Sequence, residues 1–299
     1  MAFHGIRLRA TGSQALLARR FGDGHFPMHS GFASSRGALM EDAGSRTDRR
    51  NMSQGDWRNL PDPDPTIAPR LIEWFDNNGR SFPWRRPISA YHLLSVELML
   101  QRTHADQVRP VFEGFCEKFA SPRDVLSAGR GVVDAMFRRL GLLWRAEMFW
   151  KLQIALVQDH AGEIPRSDRE LRSLPGVGDY VATAVRVFAF GERLTVLDSN
   201  VLRILGRYFG ITFPDHARRS RRVRSWADRL APEDPDACRR YNWALIDLGA
   251  LICTPRTPRH FSCPIRVGCR LASEPGGPLS NGTSWGQGAD YGEGFSEES

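Results

Sequence analysis

The chain has 299 residues, with 41 lysines and arginines against 34 acids and a formal net charge of +7. That length supports a full hydrophobic core with room for two lobes and tails, and the basic balance favours a polyanionic partner. No run of 18 apolar residues occurs, so no membrane-spanning helix is expected.

The first 60 residues are rich in Gly, Ser and Arg and show little periodicity, and Pro61-Asp62-Pro63-Asp64-Pro65 reads as a stiff linker closing them. We expect residues 1–65 to be a disordered extension. Residues 1–39 carry Arg7, Arg9, Arg19, Arg20 and Arg36 against one acid, Asp23. This fits an organelle transit peptide, and equally a start misplaced ahead of Met40 or Met52; a tail or wrong start is the preferred reading. Lys118 and Lys151 are the only lysines, and this skew to arginine points to a GC-rich bacterial genome; a cytoplasmic, nucleoid location is expected.

From Thr66 onward nearly everything reads as helix and no strand is expected. TIAPRLIEWFDNNG (66–79) has a Thr cap, inward Leu71, Ile72 and Phe75, and a stop at Gly79. Apolar helical patterns follow over 91–103, 105–119, 130–141 and 145–160. Residues 166–174 and 179–191 form two further helices, with Leu171 and Leu174, then Val181, Ala182, Val185, Phe188 and Ala189, facing inward. Next come a helix over 201–210, an arginine-rich helix near 214–230 and a long one over 235–253. The tail from 271 to 299 is Gly- and Ser-rich and is expected to be disordered. The folded domain is therefore 66–270.

Between the helices at 166–174 and 179–191, Leu174-Pro175-Gly176-Val177-Gly178 makes a tight turn: Pro175 restricts it, and the two glycines allow conformations closed to other residues. Backbone N–H groups beside a helix N-terminus can hold a phosphate oxygen without reading sequence; taken alone, so short a string more often marks two packed helices. Asp198 heads the next helix. Aspartate is a favoured N-cap, and a helix N-terminus favours a negative charge. An ionised carboxylate is also what a reaction needs when positive charge builds on a sugar. Glu97 sits among Leu93, Leu94, Val96, Leu98, Met99 and Leu100. A carboxylate there is costly unless paired, and burial raises its pKa, as a general acid requires; a structural salt bridge is the plainer alternative.

In order and spacing, LPGVG followed by Tyr180, LDSNV (197–201), FPWRR (82–86), ELMLQRT (97–103) and DLGALICT (247–254) resemble the helix–hairpin–helix DNA glycosylase superfamily, in its adenine and thymine mismatch branch, related to endonuclease III. The likeness runs from about Thr66 to Arg270. It implies an all-α fold of two helical lobes around a DNA cleft. One lobe is built mid-chain, and the other joins the N-terminal helix to the C-terminal helices and a metal loop. It implies a DNA N-glycosylase that binds duplex DNA as a monomer and flips out a mismatched base. Glu97 becomes the proton donor and Asp198 the cation stabiliser and water orienter. Leu174, Gly176, Val177 and Gly178 grip the DNA backbone. Gln101 and Arg102 fill the gap left by the flipped base, and Asn200 joins the DNA-binding set. Bifunctional relatives carry a lysine where this chain has Tyr180, so base removal by water without efficient strand cleavage is expected; Tyr180 could also be only a packed aromatic.

Cys253, His260, Cys263 and Cys269 follow a C-x6-H-x2-C-x5-C spacing. Relatives have cysteine at all four places and hold a [4Fe–4S] cluster, which here would take His260 as its odd ligand. A Cys₃His zinc site or a metal-free loop are the alternatives. Disulfides are not expected, since Cys116 and Cys238 read as core thiols. The run RRSRRVR (218–224) is either a DNA stripe or a solvated helix face.

The base removed is the least legible feature. Arg102 and the Arg145-Ala146-Glu147 of LGLLWRAE (140–147) look more like thymine glycosylases, and only a short polar tail follows Cys269, where adenine glycosylases usually add a domain. Glu97, Tyr180 and Asn200 also suit adenine opposite guanine or oxidised guanine. The balance falls on thymine or uracil opposite guanine, with adenine as the alternative. A non-catalytic DNA-binding protein is a further alternative, opposed by the presence of both Glu97 and Asp198; a lyase acting on oxidised pyrimidines is opposed by the missing lysine.

Overall fold

The computed structural model describes residues 55–141 and 143–273. Of the tail expected to be disordered over 271–299, residues 271–273 instead belong to a short helix, and the rest, like the expected extension before 55, lies outside the described residues. In chain order the elements are β1 (Gly55–Asp56), α1 (Ile67–Asn78), α2 (Ala90–Leu100), α3 (Ala105–Lys118), α4 (Pro122–Ala128), α5 (Arg130–Arg139), α6 (Leu143–Asp159), α7 (Asp168–Ser173), α8 (Asp179–Phe188), α9 (Ser199–Phe209), β2 (Ile211–Thr212), α10 (Arg221–Asp228), α11 (Pro235–Leu251) and α12 (Arg270–Ser273). Short 3₁₀ turns occupy Pro83–Arg85, Asp215–Arg219 and His260–Ser262.

Two hydrophobic cores divide this chain. One is built mid-chain from α2 to α8, around Leu94, Met99, Phe112, Phe137, Phe149 and Leu171. The other joins Ile67, Ala68 and Leu71 of α1 to α9, α10 and α11, around Leu205, Trp226, Tyr241 and Leu248. Helix α8 serves both. Val181, Ala182 and Val185 face the first core, while Ala184 and Val187 face the second, so this helix is apolar on two adjoining faces. The all-α, two-lobed expectation is met.

Several local expectations change. Thr66 does not cap α1 through its side chain. Instead Asp64 accepts from the Thr66 N–H at 2.8 Å and from its hydroxyl at 2.7 Å. Helix α4 escaped the periodicity reading because it has only seven residues; its visible signal is a capping box, Ser121 with Asp124. The arginine-rich segment breaks at Ser220, so α10 is short. Among the described residues two strands do occur, each of two residues, pairing in parallel with Gly55 opposite Ile211 and Asp56 opposite Thr212.

The largest change concerns residues 55–65. They are not a free linker but a strap against the second core. Trp57 and Leu60 pack on that core, Trp226 Nε1 donates to the Pro61 carbonyl at 2.7 Å, and the Tyr208 hydroxyl donates to Asp64 at 2.5 Å. The segment with the prolines that suggested a stiff linker docks through the β1 pairing, through side chains and through the Pro61 carbonyl.

Candidate active site and DNA-facing hairpin

The turn between α7 and α8 forms as the glycine spacing predicts. Leu174 and Val177 are buried on either side of it, and the Val177 N–H closes on the Leu174 carbonyl at 3.1 Å. Gly176 has φ +81°, the left-handed region that favours glycine. Gly178 is different: its φ of −96° is open to any residue, and a Cβ there would meet nothing within 4 Å. The fold itself therefore sets no requirement for glycine at 178. Gly178 also caps α8, whose first N–H groups have no intrahelical acceptor.

Asp198 is the N-cap of α9, as its position suggested. Its Oδ1 accepts from the Val201 N–H at 2.7 Å and its Oδ2 from Asn200 Nδ2 at 2.8 Å. Asn200 turns inward: its Oδ1 accepts from Arg203 Nη1 at 2.9 Å. Arg203 in turn donates to the carbonyls of Cys253 and Gly249, each at 3.0 Å. Both ends of the Asn200 amide are therefore engaged inside the protein. Gly249, within DLGALICT, lets α11 close on α9, since a Cβ there would stand 3.1 Å from Asn200 Cβ.

Glu97 is only 5% exposed on α2. Burial pushes its carboxyl up to about 7, with the positive charge of Arg85 pulling the other way. Tyr180, on the first turn of α8, has its hydroxyl held well above the usual phenol range, by burial first and then by the negative charges of Glu97 and Asp198, with Arg85 opposing. Residues 83 positions apart in the chain from Glu97 to Tyr180, and 18 further to Asp198, thus share one electrostatic neighbourhood.

Arg85 lies in FPWRR, whose local pattern gives it no role. It is fixed by a two-point ion pair, Nη1 to Asp247 Oδ2 and Nη2 to Asp247 Oδ1, each at 2.8 Å. Arg80 Nε also donates to Asp247 Oδ1 at 2.9 Å. Burial alone would raise Asp247, but the hydrogen bonds and charge of Arg85 and Arg80 hold its carboxyl below the usual range. Two stretches read separately from the sequence, FPWRR and DLGALICT, are thereby joined.

Gln101 and Arg102 follow the end of α2. Arg102 is exposed with φ +56°, and Gln101 Nε2 donates to the Gly176 carbonyl at 3.2 Å, tying this turn to the hairpin. The run 218–224 divides: Val223 is buried, Arg224 pairs with Asp179 at 2.9 Å, and Arg219, Arg221 and Arg222 are exposed. Cys238 is a core thiol, whereas Cys116 is only half-buried.

Cys253, His260, Cys263 and Cys269 line one small pocket together with Arg207 and Tyr208. Arg207 Nη1 lies 3.4 Å from Cys253 Sγ and donates to the Thr254 carbonyl at 2.7 Å. Burial pushes the Cys263 thiol up to about 12, with Cys269 and Cys253 adding to the rise. Among the described residues no set of three or more His, Cys, Asp or Glu side chains is arranged to hold a metal ion. Three thiols and one imidazole are donor types used by both iron–sulfur and zinc sites.

No family model matches the chain. Individual proteins do. The chain is 30% identical over 200 residues to a thymine/uracil-DNA glycosylase of Methanothermobacter thermautotrophicus, covering 67% of this chain and 90% of that protein. It is 34% identical to a thymine-DNA glycosylase of Aeropyrum pernix, covering 67% and 91%, and 33% identical to an adenine DNA glycosylase of Mycolicibacterium smegmatis, covering 70% of each. Among solved structures, a thermostable thymine-DNA glycosylase superposes with a TM-score of 0.64 at 29% identity, over 69% of this chain and 94% of that one. An endonuclease III–DNA complex, at 24% identity and a TM-score of 0.58, shares the fold. With the hairpin, the capped Asp198 and the buried Glu97 in place, these relationships show that the chain belongs to the helix–hairpin–helix DNA glycosylase superfamily. Within that superfamily it is a DNA N-glycosylase, a hydrolase of N-glycosyl bonds.

Proposed function

We propose that the protein removes thymine or uracil mispaired with guanine in duplex DNA, by hydrolysis and without cutting the strand. Glu97 delivers its proton to the departing base as the N-glycosyl bond breaks. Asp198 stabilises the positive charge that builds on the sugar and orients the water that adds to the sugar carbon. Tyr180, in place of an attacking lysine, leaves water as the nucleophile. The observation that carries this reading is the buried Glu97 on α2 with Tyr180 on the first turn of α8 and Asp198 fixed as the cap of α9, and burial pushes Glu97 up to about 7. A carboxyl in that range can still hold a proton near neutrality.

The hairpin takes a backbone phosphate at Gly176 and Gly178, while Leu174 and Val177, whose N–H groups close on the Leu171 and Leu174 carbonyls, shape the turn from within; Gln101 and Arg102 enter the gap opened by the flipped base. The choice of thymine or uracil is supported by the thymine/uracil relatives, of whose length the chain covers about nine-tenths. Adenine opposite guanine or 8-oxoguanine is the second reading, favoured by the comparable identity to the adenine enzyme. We assign a [4Fe–4S] cluster to Cys253, His260, Cys263 and Cys269, on the donor set and the pocket they line. It would fix the loop bearing Arg256, Arg259 and Arg266 and contribute no step to base excision. The protein is proposed to act as a monomer in the bacterial cytoplasm, with its DNA substrate.

One assay tests the whole reading. Duplexes carrying T·G, U·G, A·G, A·8-oxoG or an oxidised pyrimidine are incubated with the protein, and abasic sites are scored with and without alkali. Excision confined to T·G and U·G supports the proposal; excision of adenine moves it to the second reading, and no excision from any duplex ends it.

A further inference from the structure

We infer that Arg145 is the positioning residue that sets the aim of the turn Gln101–Thr103. This rests on the proposed role of Gln101 and Arg102 in filling the gap left by a flipped base.

Arg145 stands in the first turn of α6 and is 3% exposed. Among the described residues no carboxylate pairs with it. A buried charge without a counter-charge is costly, so a purely structural arginine would be expected to face an acid. Here the guanidinium faces carbonyls. Nη1 donates to Met99 O at 3.0 Å and to Gln101 O at 2.5 Å, and Nη2 donates to Thr103 Oγ1 at 2.8 Å and to Leu140 O at 3.3 Å. Nε has no partner.

The carbonyls of Met99 and Gln101 belong to the C-terminal end of α2, where acceptors lack intrahelical donors and the helix dipole favours a cation. Arg145 therefore caps α2 from another helix. The cap forces a sharp reversal: the Thr103 N–H closes on Leu100 O at 3.2 Å, and Arg102 is driven to φ +56°. A non-glycine residue holds that conformation only where its surroundings dictate it. The outcome is functional in form. Arg102 is presented to solvent, and Gln101 is laid against the hairpin at Gly176. A gap-filling turn that is already ordered does not lose that entropy when it meets DNA. A lysine could not reproduce this, since a single ammonium cannot span carbonyl and hydroxyl acceptors on two segments as a planar fork does.

The test uses full-length Arg145→Lys and Thr103→Val, the second removing one Arg145 partner with little change in shape. Single-turnover excision is measured on two substrates: the target base opposite guanine, and the same base opposite an abasic sugar, where no orphan base needs holding. Both variants should lose on the order of tenfold on the mismatch and much less on the abasic partner. Equal losses on both substrates, or no loss, overturn the inference. If Arg145→Lys fails to fold, Thr103→Val decides. Hydrogen exchange at the Thr103 amide gives a readout independent of activity: it should quicken by about tenfold or more in Thr103→Val if Arg145 holds the turn, and unchanged exchange overturns the inference. A wild-type protein that excises nothing would end the functional proposal while leaving this exchange test intact.

Discussion

Asn200 Nδ2 donates to Asp198 Oδ2 at 2.8 Å, while Asn200 Oδ1 accepts from Arg203. The proposed catalytic carboxylate is thus held at both oxygens, by the Val201 N–H on one side and by Asn200 on the other. Asn200→Ala should free one oxygen to rotate while leaving the helix cap in place. The expected result is a fall in the single-turnover rate of about tenfold with little change in DNA affinity. An unchanged rate would show that the cap bond alone orients Asp198.

Asp198→Asn separates structure from chemistry. Asparagine caps helices about as well as aspartate, so melting should shift little. Loss of the negative charge should reduce turnover by a hundredfold or more, roughly 3 kcal/mol of transition-state stabilisation. A gel-shift with mismatched duplex should show binding near the wild-type level.

The raised pKa of Glu97 predicts a pH profile. The general acid acts when protonated, so the rate should fall as pH rises through about 7. Stability runs the same way. The folded pKa lies above the ordinary value of 4.5, so the folded state binds the extra proton; stability is greatest below 4.5, declines between 4.5 and about 7, and is level above that. Glu97→Gln should remove this fall on the alkaline side of the rate profile. It should also melt higher than wild type at pH 8, by up to roughly 3 kcal/mol at about 1.4 kcal/mol per pKa unit. Lower stability of that variant at pH 8 would show that ionised Glu97 is a paired structural charge.

Strand breaks should appear only after alkali or heat, because Tyr180 replaces the amine that forms a Schiff base. Borohydride should trap no protein–DNA adduct. Trapping at the level of a bifunctional enzyme would mean that Lys118, Lys151 or a terminal amine reaches the sugar.

Purified anaerobically, the protein should be brown and contain about four irons and four sulfides per chain. Cys263→Ser should lose the colour and weaken DNA binding, while His260→Cys should retain the cluster as well or better. A colourless protein with one bound zinc would replace the cluster with a Cys₃His site.

What was legible in the sequence was local. Apolar periodicity located the main helices, and the glycines with their flanking leucines located the hairpin. Asp198 ahead of an apolar helix marked its own cap, and a glutamate inside an apolar run marked a buried acid. These features depend on residues a few positions apart, which one turn of helix brings together. The tertiary structure decided the rest. Trp57, Pro61 and Asp64 look like a linker until Trp226 and Tyr208, over 140 positions away, meet them. Arg85 acquires its partner from Asp247 and Asn200 turns inward toward Arg203. Arg145, read only as a mark of kinship, caps a helix that ended 45 residues earlier. Arginine in particular carries no local sign of its partner, because its long side chain bonds whatever carbonyl or carboxylate the packed helices place within reach, and only burial fixes which one that is.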